Sequence, residues 1–166
     1  MERTGTVKGI SEKHFAAVQS MAAKCAAKDA AKAETRAAVA SVVVDLQPIR
    51  TMFEAAHKNG HKRPTYRAEG LTISRAPDTG ANAGSLYVKA SEGGAYLGKL
   101  VGTTFKPVFG GEKALDTLTQ IAIDPLSAAI RYGQKTGNCA CCGRALSNAE
   151  SVAFGIGPIC RDKWGL

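Results

Sequence analysis

Residues 136–166 read TGNCACCGRALSNAESVAFGIGPICRDKWGL and hold four of the five cysteines of this 166-residue chain. Cys139 and Cys142 form a C-x-x-C pair that is followed at once by Gly143. Two thiolates at this spacing on a tight turn can bind one tetrahedral ion, and the glycine allows the positive φ that such a turn needs. The spacing therefore predicts a metal-binding knuckle.

A third cysteine follows this knuckle at a predicted helix. Cys160 comes directly after residues 155–158, which read GIGP, and proline suits the first turn of a helix. A knuckle, then a hairpin, then a ligand at the start of a helix is the outline of a treble-clef zinc finger. We therefore predict a Zn2+ site formed by Cys139, Cys142 and Cys160.

The sequence leaves the fourth ligand of this site open. A full second knuckle would place Cys or His three residues after Cys160, where Lys163 stands. The candidates are Cys141, Asp162, an upstream histidine (His14, His57 or His61) or water. Other interpretations of the cysteines are a disulfide framework, which the lack of a signal-peptide pattern disfavours, a thioredoxin-like pair, which lacks its βαβ setting, buried thiols or another metal.

The charge of the chain predicts a polyanionic partner. The formal net charge is +8 and the isoelectric point is about 9.4. The candidate partners are nucleic acid and an acidic protein surface, and solubility alone is the alternative. The densest positive segment lies beside Tyr66, and more positive charge surrounds the cysteines. The predicted nucleic-acid contacts are Lys62, Arg63, Arg67, Arg144 and Arg161.

Residues 11–44 are rich in alanine and predict a helical N-terminal arm. The apolar stripe of this helix consists of Phe15, Val18, Met21 (or Ala22) and Cys25, and Cys25 is predicted to be buried. A second stripe consists of Lys24, Lys28, Lys32 and Arg36. The arm either binds a partner protein or presents a solvated basic face.

The middle of the chain predicts an α+β arrangement. Pro48 opens a helix whose predicted buried residues are Ile49, Met52, Phe53 and Ala56. Residues 71–108 alternate in polarity and predict a small antiparallel meander of three or four strands, with Tyr87 and Tyr96 flanking one hairpin. Two helices follow over 112–123 and 125–133. Trp164 is predicted to cover the small core of the metal module.

We therefore predict three parts: an N-terminal arm over residues 1–46, an α+β core over 47–134 and a zinc-ribbon or treble-clef-like module over 135–166. No phosphate loop, dinucleotide fingerprint, metalloprotease motif or nucleophile elbow is present in the sequence, so no residue set argues for an enzyme. No long apolar run or signal-peptide pattern is present either, so no membrane association and a cytoplasmic location are expected.

Several segments of the chain resemble a family of phage and bacterial proteins of undefined function. The matching segments are 53–64 (FEAAHKNGHKRP), 86–89 (LYVK), 96–100 (YLGKL), 124–133 (DPLSAAIRYG), 137–146 (GNCACCGRAL) and 151–160 (SVAFGIGPIC). The resemblance implies a zinc-ribbon-like module that uses Cys139, Cys142 and Cys160. It also implies a phage or mobile-element origin and, for a phage protein, the host cytoplasm.

Two hypotheses about function follow. The first is a basic protein that binds nucleic acid, either DNA or RNA, and in which the zinc is structural. The second is a protein-interaction factor, such as a phage-type inhibitor or adaptor, that binds a host protein through its N-terminal helices.

Overall fold

The structure is a computed structural model that describes residues 19–28 and 45–165. The chain divides after Ser41 into two units. In the first unit, residues 19–28 form helix α1, and all ten side chains are exposed. The prediction that Cys25 is buried is wrong, since an alanine-rich face offers little apolar area to bury. Phe15, Val18, Lys32 and Arg36 lie outside the described residues.

Residues 45–165 belong to the second unit and form an antiparallel sheet with helices. The strands are β1 (Thr65–Ala68), β2 (Leu71–Arg75), β3 (Leu86–Ala90), β4 (Tyr96–Val101) and β5 (Thr104–Pro107). The helices are α2 (Gln47–Lys58), α3 (Ala114–Ile123), α4 (Pro125–Thr136), α5 (Ala149–Phe154) and α6 (Pro158–Trp164). The sheet order follows the chain from β1 to β5. The predicted α+β class with an antiparallel meander and packed helices is confirmed.

One face of the sheet lies in the core. Buried and less buried residues alternate along the strands, as a half-buried sheet requires. The register places the buried Tyr66, Ile73 and Val88 in one row across β1, β2 and β3. This face and the helices share a single hydrophobic cluster.

Helix α2 follows the sequence prediction closely. Pro48 lies in its first turn, and its buried residues are the predicted Ile49, Met52, Phe53 and Ala56. Helix α4 begins after Asp124, whose carboxylate accepts a hydrogen bond from the backbone N–H of Ser127 at 2.9 Å. It ends at Gly137, which has the left-handed conformation with φ +68°.

Three predicted elements differ from the structure. The sheet has five strands, because the basic segment that contains Arg67 forms strand β1. Helix α4 runs past Gly133 to Thr136, since glycine is tolerated inside a helix that packs closely. The segment between the knuckle and Cys160, for which the treble-clef outline predicts a hairpin, contains helix α5. Asn148 caps this helix by accepting a hydrogen bond from the N–H of Glu150.

The C-terminal helix packs into the main core through Trp164, which is 1 % exposed. Its ring lies edge-on to Phe53, with centroids 5.0 Å apart, and 5.9 Å from the ring of Tyr66. The side-chain amide of Asn59, at the end of α2, donates to the carbonyl of Lys163 at 3.0 Å. Trp164 therefore joins α6 to α2 and β1 and does more than cover a separate small core.

The boundaries predicted at residues 46 and 134 stay a prediction. No helix in the described part of the chain is long and apolar enough to cross a membrane.

Replacement of Trp164 by alanine is expected to lower the free energy of unfolding by about 3–5 kcal/mol, because it removes a buried ring from between α2, α6 and β1. Urea denaturation in zinc-containing buffer measures this change. The matched control is Phe109→Ala, since Phe109 is 97 % exposed and its loss should cost less than about 0.5 kcal/mol. Equal effects of the two substitutions would contradict the anchoring role of Trp164.

Candidate metal centre

Three cysteine sulfurs converge at one point of the C-terminal segment. The Sγ atoms of Cys139, Cys142 and Cys160 all lie within 4.8 Å of one another. Sulfurs around a tetrahedral zinc ion with Zn–S bonds of about 2.3 Å lie roughly 3.8 Å apart, so small side-chain adjustments suffice to bind one ion. Cys139 and Cys160 are buried, and Cys142 is exposed. These three cysteines could hold a metal ion.

The knuckle that presents two of these sulfurs is a short hydrogen-bonded turn. The N–H of Gly143 donates to the carbonyl of Cys139 at 2.8 Å, and the N–H of Cys139 donates to the carbonyl of Arg144 at 2.8 Å. Gly143 has φ +74°, the conformation expected for a glycine directly after a C-x-x-C pair. An isolated bridge between Asn138 and Ala145 closes the turn at its base.

The third sulfur comes from the first turn of α6. Pro158 is the first residue of this helix, as predicted, and Cys160 follows two positions later. Helix α5 connects the knuckle to α6, so within the described residues the module has a helix in place of the hairpin of a treble clef. Cys160 and Trp164 are four residues apart and therefore share one face of α6.

The thiols interact electrostatically. Hydrogen bonds from the thiols of Cys141 and Cys160, with further ones from the backbone N–H groups of Cys142 and Gly157, hold the pKa of Cys139 far below its ordinary value. The hydrogen bond to Cys139, followed by burial, raises the pKa of Cys141 and of Cys160. In these hydrogen bonds the thiols of Cys141 and Cys160 donate and the sulfur of Cys139 accepts. A cation that binds thiolates would replace those protons, so the donor set fits a thiophilic metal such as zinc.

The candidate fourth ligands occupy different places. Cys141 is buried against Cys139 but lies outside the group of three converging sulfurs. His57 contacts the carbonyl of His61 through Nδ1 at 3.1 Å and lies 3.6 Å from Asp78 through Nε2. The ring of His61 lies beside Trp164, with centroids 6.4 Å apart. Burial, followed by the charge of Lys163, lowers the pKa of His61.

The other residues that the sequence offers as a fourth ligand are Asp162 and His14. Asp162 is exposed on α6, and His14 lies outside the described residues. No fourth His, Cys, Asp or Glu of the described residues joins the group of three cysteines.

The metal module is attached to the edge of the sheet at β1. The N–H of Arg67 donates to the carbonyl of Ala140 at 2.8 Å, and its guanidinium Nη1 donates to the carbonyl of Cys141 at 3.2 Å. The module is thus hydrogen-bonded both to strand β1 and, through Asn59, to helix α2.

The predicted nucleic-acid residues have different environments. Lys62 and Arg63 are exposed in the connection between α2 and β1, and Arg144 is exposed on the knuckle. Arg67 is half-buried and contacts the knuckle as described. The guanidinium of Arg161 lies 4.5 Å from the ring centroid of Phe154 and 3.5 Å from a carboxylate oxygen of Glu150. Lys62, Arg63 and Arg144 are therefore the exposed members of the predicted set.

A close backbone contact fixes helix α5 on helix α4. A β-carbon added to Gly155 would lie 2.1 Å from the carbonyl oxygen of Ala129, and one added to Gly133 would lie 2.1 Å from Cα of Gly155. Gly155 also has φ +63° and accepts a hydrogen bond from the N–H of Ala140 at 3.0 Å. The motif GIGP by itself predicts only the start of α6. The packing role of its first residue, Gly155, depends on the position of α4, which the motif does not encode.

Residues 129–165 match the model of a family that is described as "Family of unknown function (DUF6011)". The resemblance to a family of unknown function is thus confirmed for the C-terminal part of the chain, from the end of α4 through α6. No curated protein and no solved structure is detectably similar to the chain.

Cys142→Ser and Cys160→Ser are each expected to remove most of the bound zinc, because each deletes one of three converging thiolates. Zinc content after gel filtration measures the loss against about one ion per chain in the unmodified protein. Cys25→Ser and Cys141→Ala are the controls, and both should retain the metal. Metal loss in Cys141→Ala equal to that in Cys142→Ser would make Cys141 a ligand.

Gly155→Ala is expected to destabilise the module by more than about 3 kcal/mol, since a methyl group would overlap the backbone of α4. Gly165→Ala is the matched control. Gly165 also has a left-handed conformation, with φ +67°, but no atom lies within 4 Å of an added β-carbon, so only the backbone term of about 1 kcal/mol applies. Urea denaturation of both variants separates the overlap from the backbone strain, and equal losses would contradict the close contact.

Proposed function

We propose that this chain is a basic, zinc-containing, non-enzymatic nucleic-acid-binding protein of phage or mobile-element type. The single observation that carries the proposal is the group of three cysteine sulfurs next to the edge of the sheet. Arg67 of the edge strand β1 holds this group through its hydrogen bond to the carbonyl of Cys141. Cys139, Cys142 and Cys160 would hold the zinc ion. The role of the ion would be structural, because it would cross-link the knuckle to α6. Helix α6 in turn carries Trp164, which lies in the core.

The charge of the chain supports nucleic acid as the partner. The formal net charge is +8, and Lys62, Arg63 and Arg144 form no ion pair with any residue in the described ranges. Exposed cations of this kind release counterions when they contact phosphates, which makes affinity fall steeply with salt. Arg144 follows the zinc knuckle directly, so zinc would also order one of the proposed phosphate contacts.

Binding to labelled single-stranded DNA, duplex DNA and RNA at several salt concentrations tests the proposal. We expect affinity to fall linearly on a log–log plot against salt, and to fall further after zinc is removed with a chelator. Arg144→Glu should reduce the salt slope by about 1, since it removes one phosphate contact. Lys113→Glu is the charge-matched control, because Lys113 is exposed at the start of α3 and should not contribute.

Absence of binding to all three nucleic acids at low salt would exclude the nucleic-acid function. The second candidate is then a protein-interaction factor of inhibitor or adaptor type that binds a host protein through its N-terminal helices. The exposure of α1 favours this candidate, since every side chain over residues 19–28 is exposed and Met21 is 70 % exposed. An apolar helical interface would show weak salt dependence, in contrast to phosphate contacts.

A further inference from the structure

The face of the sheet that points away from the core has a distinct composition. We call it the outer face. It consists of the residues that alternate with the buried ones along the strands, together with Tyr96, which a register shift between β3 and β4 places opposite Lys89. Its members include Thr65, Arg67, Thr72, Ser74, Tyr87, Lys89, Tyr96, Lys99 and Lys106. All are half-buried or exposed, and none belongs to the hydrophobic core.

The strand register arranges these side chains in two rows. One row consists of Arg67, Thr72, Lys89 and Tyr96, from β1 to β4. The other consists of Thr65, Ser74, Tyr87, Lys99 and Lys106, from β1 to β5. With neighbouring strands about 4.8 Å apart, the rows extend over roughly 14 Å and 19 Å. The first row ends at Arg67, which contacts the metal centre through the carbonyl of Cys141.

The outer face carries positive charge that is not neutralised. The five strands contain five Lys or Arg residues and no Asp or Glu. Arg75 pairs with Asp78 at 2.7 Å, and the other four cations, Arg67, Lys89, Lys99 and Lys106, lie on the outer face. None of those four forms an ion pair with a residue in the described ranges.

Two tyrosines lie among these cations. The rings of Tyr87 and Tyr96 meet edge to face with centroids 6.1 Å apart, and Tyr96 is 41 % exposed. A register shift between Val88 and Lys89 places Tyr96 opposite Lys89. The pKa of Tyr96 is raised by burial and by Tyr87, so its phenol stays neutral near pH 7 and adds no negative charge to the face. An open aromatic ring beside lysines is the arrangement that stacks a base and holds its phosphate.

We propose that a single-stranded nucleic acid lies across the outer face, with a base stacked on Tyr96 and phosphates at Lys89, Lys99, Lys106 and Arg67. The proposal rests on the proposed nucleic-acid function and specifies its site and its ligand. Charge complementarity argues for a polyanion, and the exposed ring argues for unpaired bases, since the bases of a duplex are stacked on one another and cannot reach a tyrosine. An acidic peptide would use the cations without needing the ring.

The test uses the entire 166-residue chain loaded with zinc and two fluorescent probes: an oligothymidylate and a duplex of the same length. Tyr96→Ala should bind the oligothymidylate roughly tenfold more weakly, and Tyr96→Phe should bind it like the unmodified protein, because stacking needs the ring and not the hydroxyl. The double variant Lys89→Glu/Lys106→Glu should reduce the salt slope by about 1.4 through loss of two phosphate contacts. The controls are Phe109→Ala for an exposed ring and Lys113→Glu for charge.

The outcomes separate this proposal from the general one. Losses in the Tyr96→Ala and double-lysine variants but not in the Phe109→Ala and Lys113→Glu controls, with tighter binding of the single strand than of the duplex, support it. Loss in Arg144→Glu with no change in the Tyr96 and lysine variants would overturn it and leave the proposed function standing. A loss in the double-lysine variant alone, or equal binding of duplex and single strand, would also overturn it. Absence of binding by the unmodified protein would overturn both. Circular dichroism and thermal melting confirm that each variant is folded.

Discussion

The packing of Trp164 against Phe53 and Tyr66 is the interaction on which the arrangement of the second unit depends. Helix α6 carries Cys160 and Trp164 on one face, so a single short helix supplies both a sulfur of the candidate metal centre and the anchor to the core. A segment as small as residues 137–165 buries little apolar area by itself. Its position therefore comes from the larger core, to which the indole contributes a buried ring between α2 and β1.

The candidate metal centre is attached to the rest of the unit by backbone hydrogen bonds and by a close helix contact. Backbone hydrogen bonds join Arg67 to Ala140 and Gly155 to Ala140, and the close approach of Gly133 and Gly155 sets the distance between α4 and α5. These contacts would hold the knuckle and α6 near each other, so an ion bound by Cys139, Cys142 and Cys160 would have less chain entropy to overcome on binding. Metal affinity and folding stability would then be coupled, as in other small structural sites.

The distribution of charge separates two sides of the sheet. The core face holds aromatic and aliphatic side chains, whereas the opposite face holds four cations, two tyrosines and small hydroxyl residues. Two carboxylates in the strand connections are paired: Glu69 contacts Arg131 at 2.7 Å, and Asp78 contacts Arg75. Glu92, in the turn between β3 and β4, forms no ion pair within the described residues. This division concentrates positive charge on one surface, and under the proposed function that charge would favour polyanions in encounter as well as in binding.

Much of the fold follows from local pattern. The face of α2, the β3–β4 hairpin and the start of α6 are encoded by residues close in sequence, through periodicity, turn glycines and proline positions. Strand β1 was missed because its four residues lie in a basic segment whose charge dominates the pattern. Helix α5 was missed because the cysteine spacing favoured the hairpin of a treble clef. Two local signals for the helix, Asn148 at its N-cap and Gly155 at its C-terminal end, are present in the sequence.

The candidate site also has one part that local sequence determines and one part that tertiary packing decides. The spacing of Cys139 and Cys142, with Gly143 after them, by itself determined the knuckle, because a tight turn is a local structure. The sequence also singled out Cys160 by its position at a helix start. Only the tertiary structure brings its sulfur to the other two, directs Arg67 to the knuckle and aligns Arg67 with Lys89 and Tyr96 across the sheet. Those relations join residues far apart in the chain, and strand register and core packing, which no local pattern encodes, decide them.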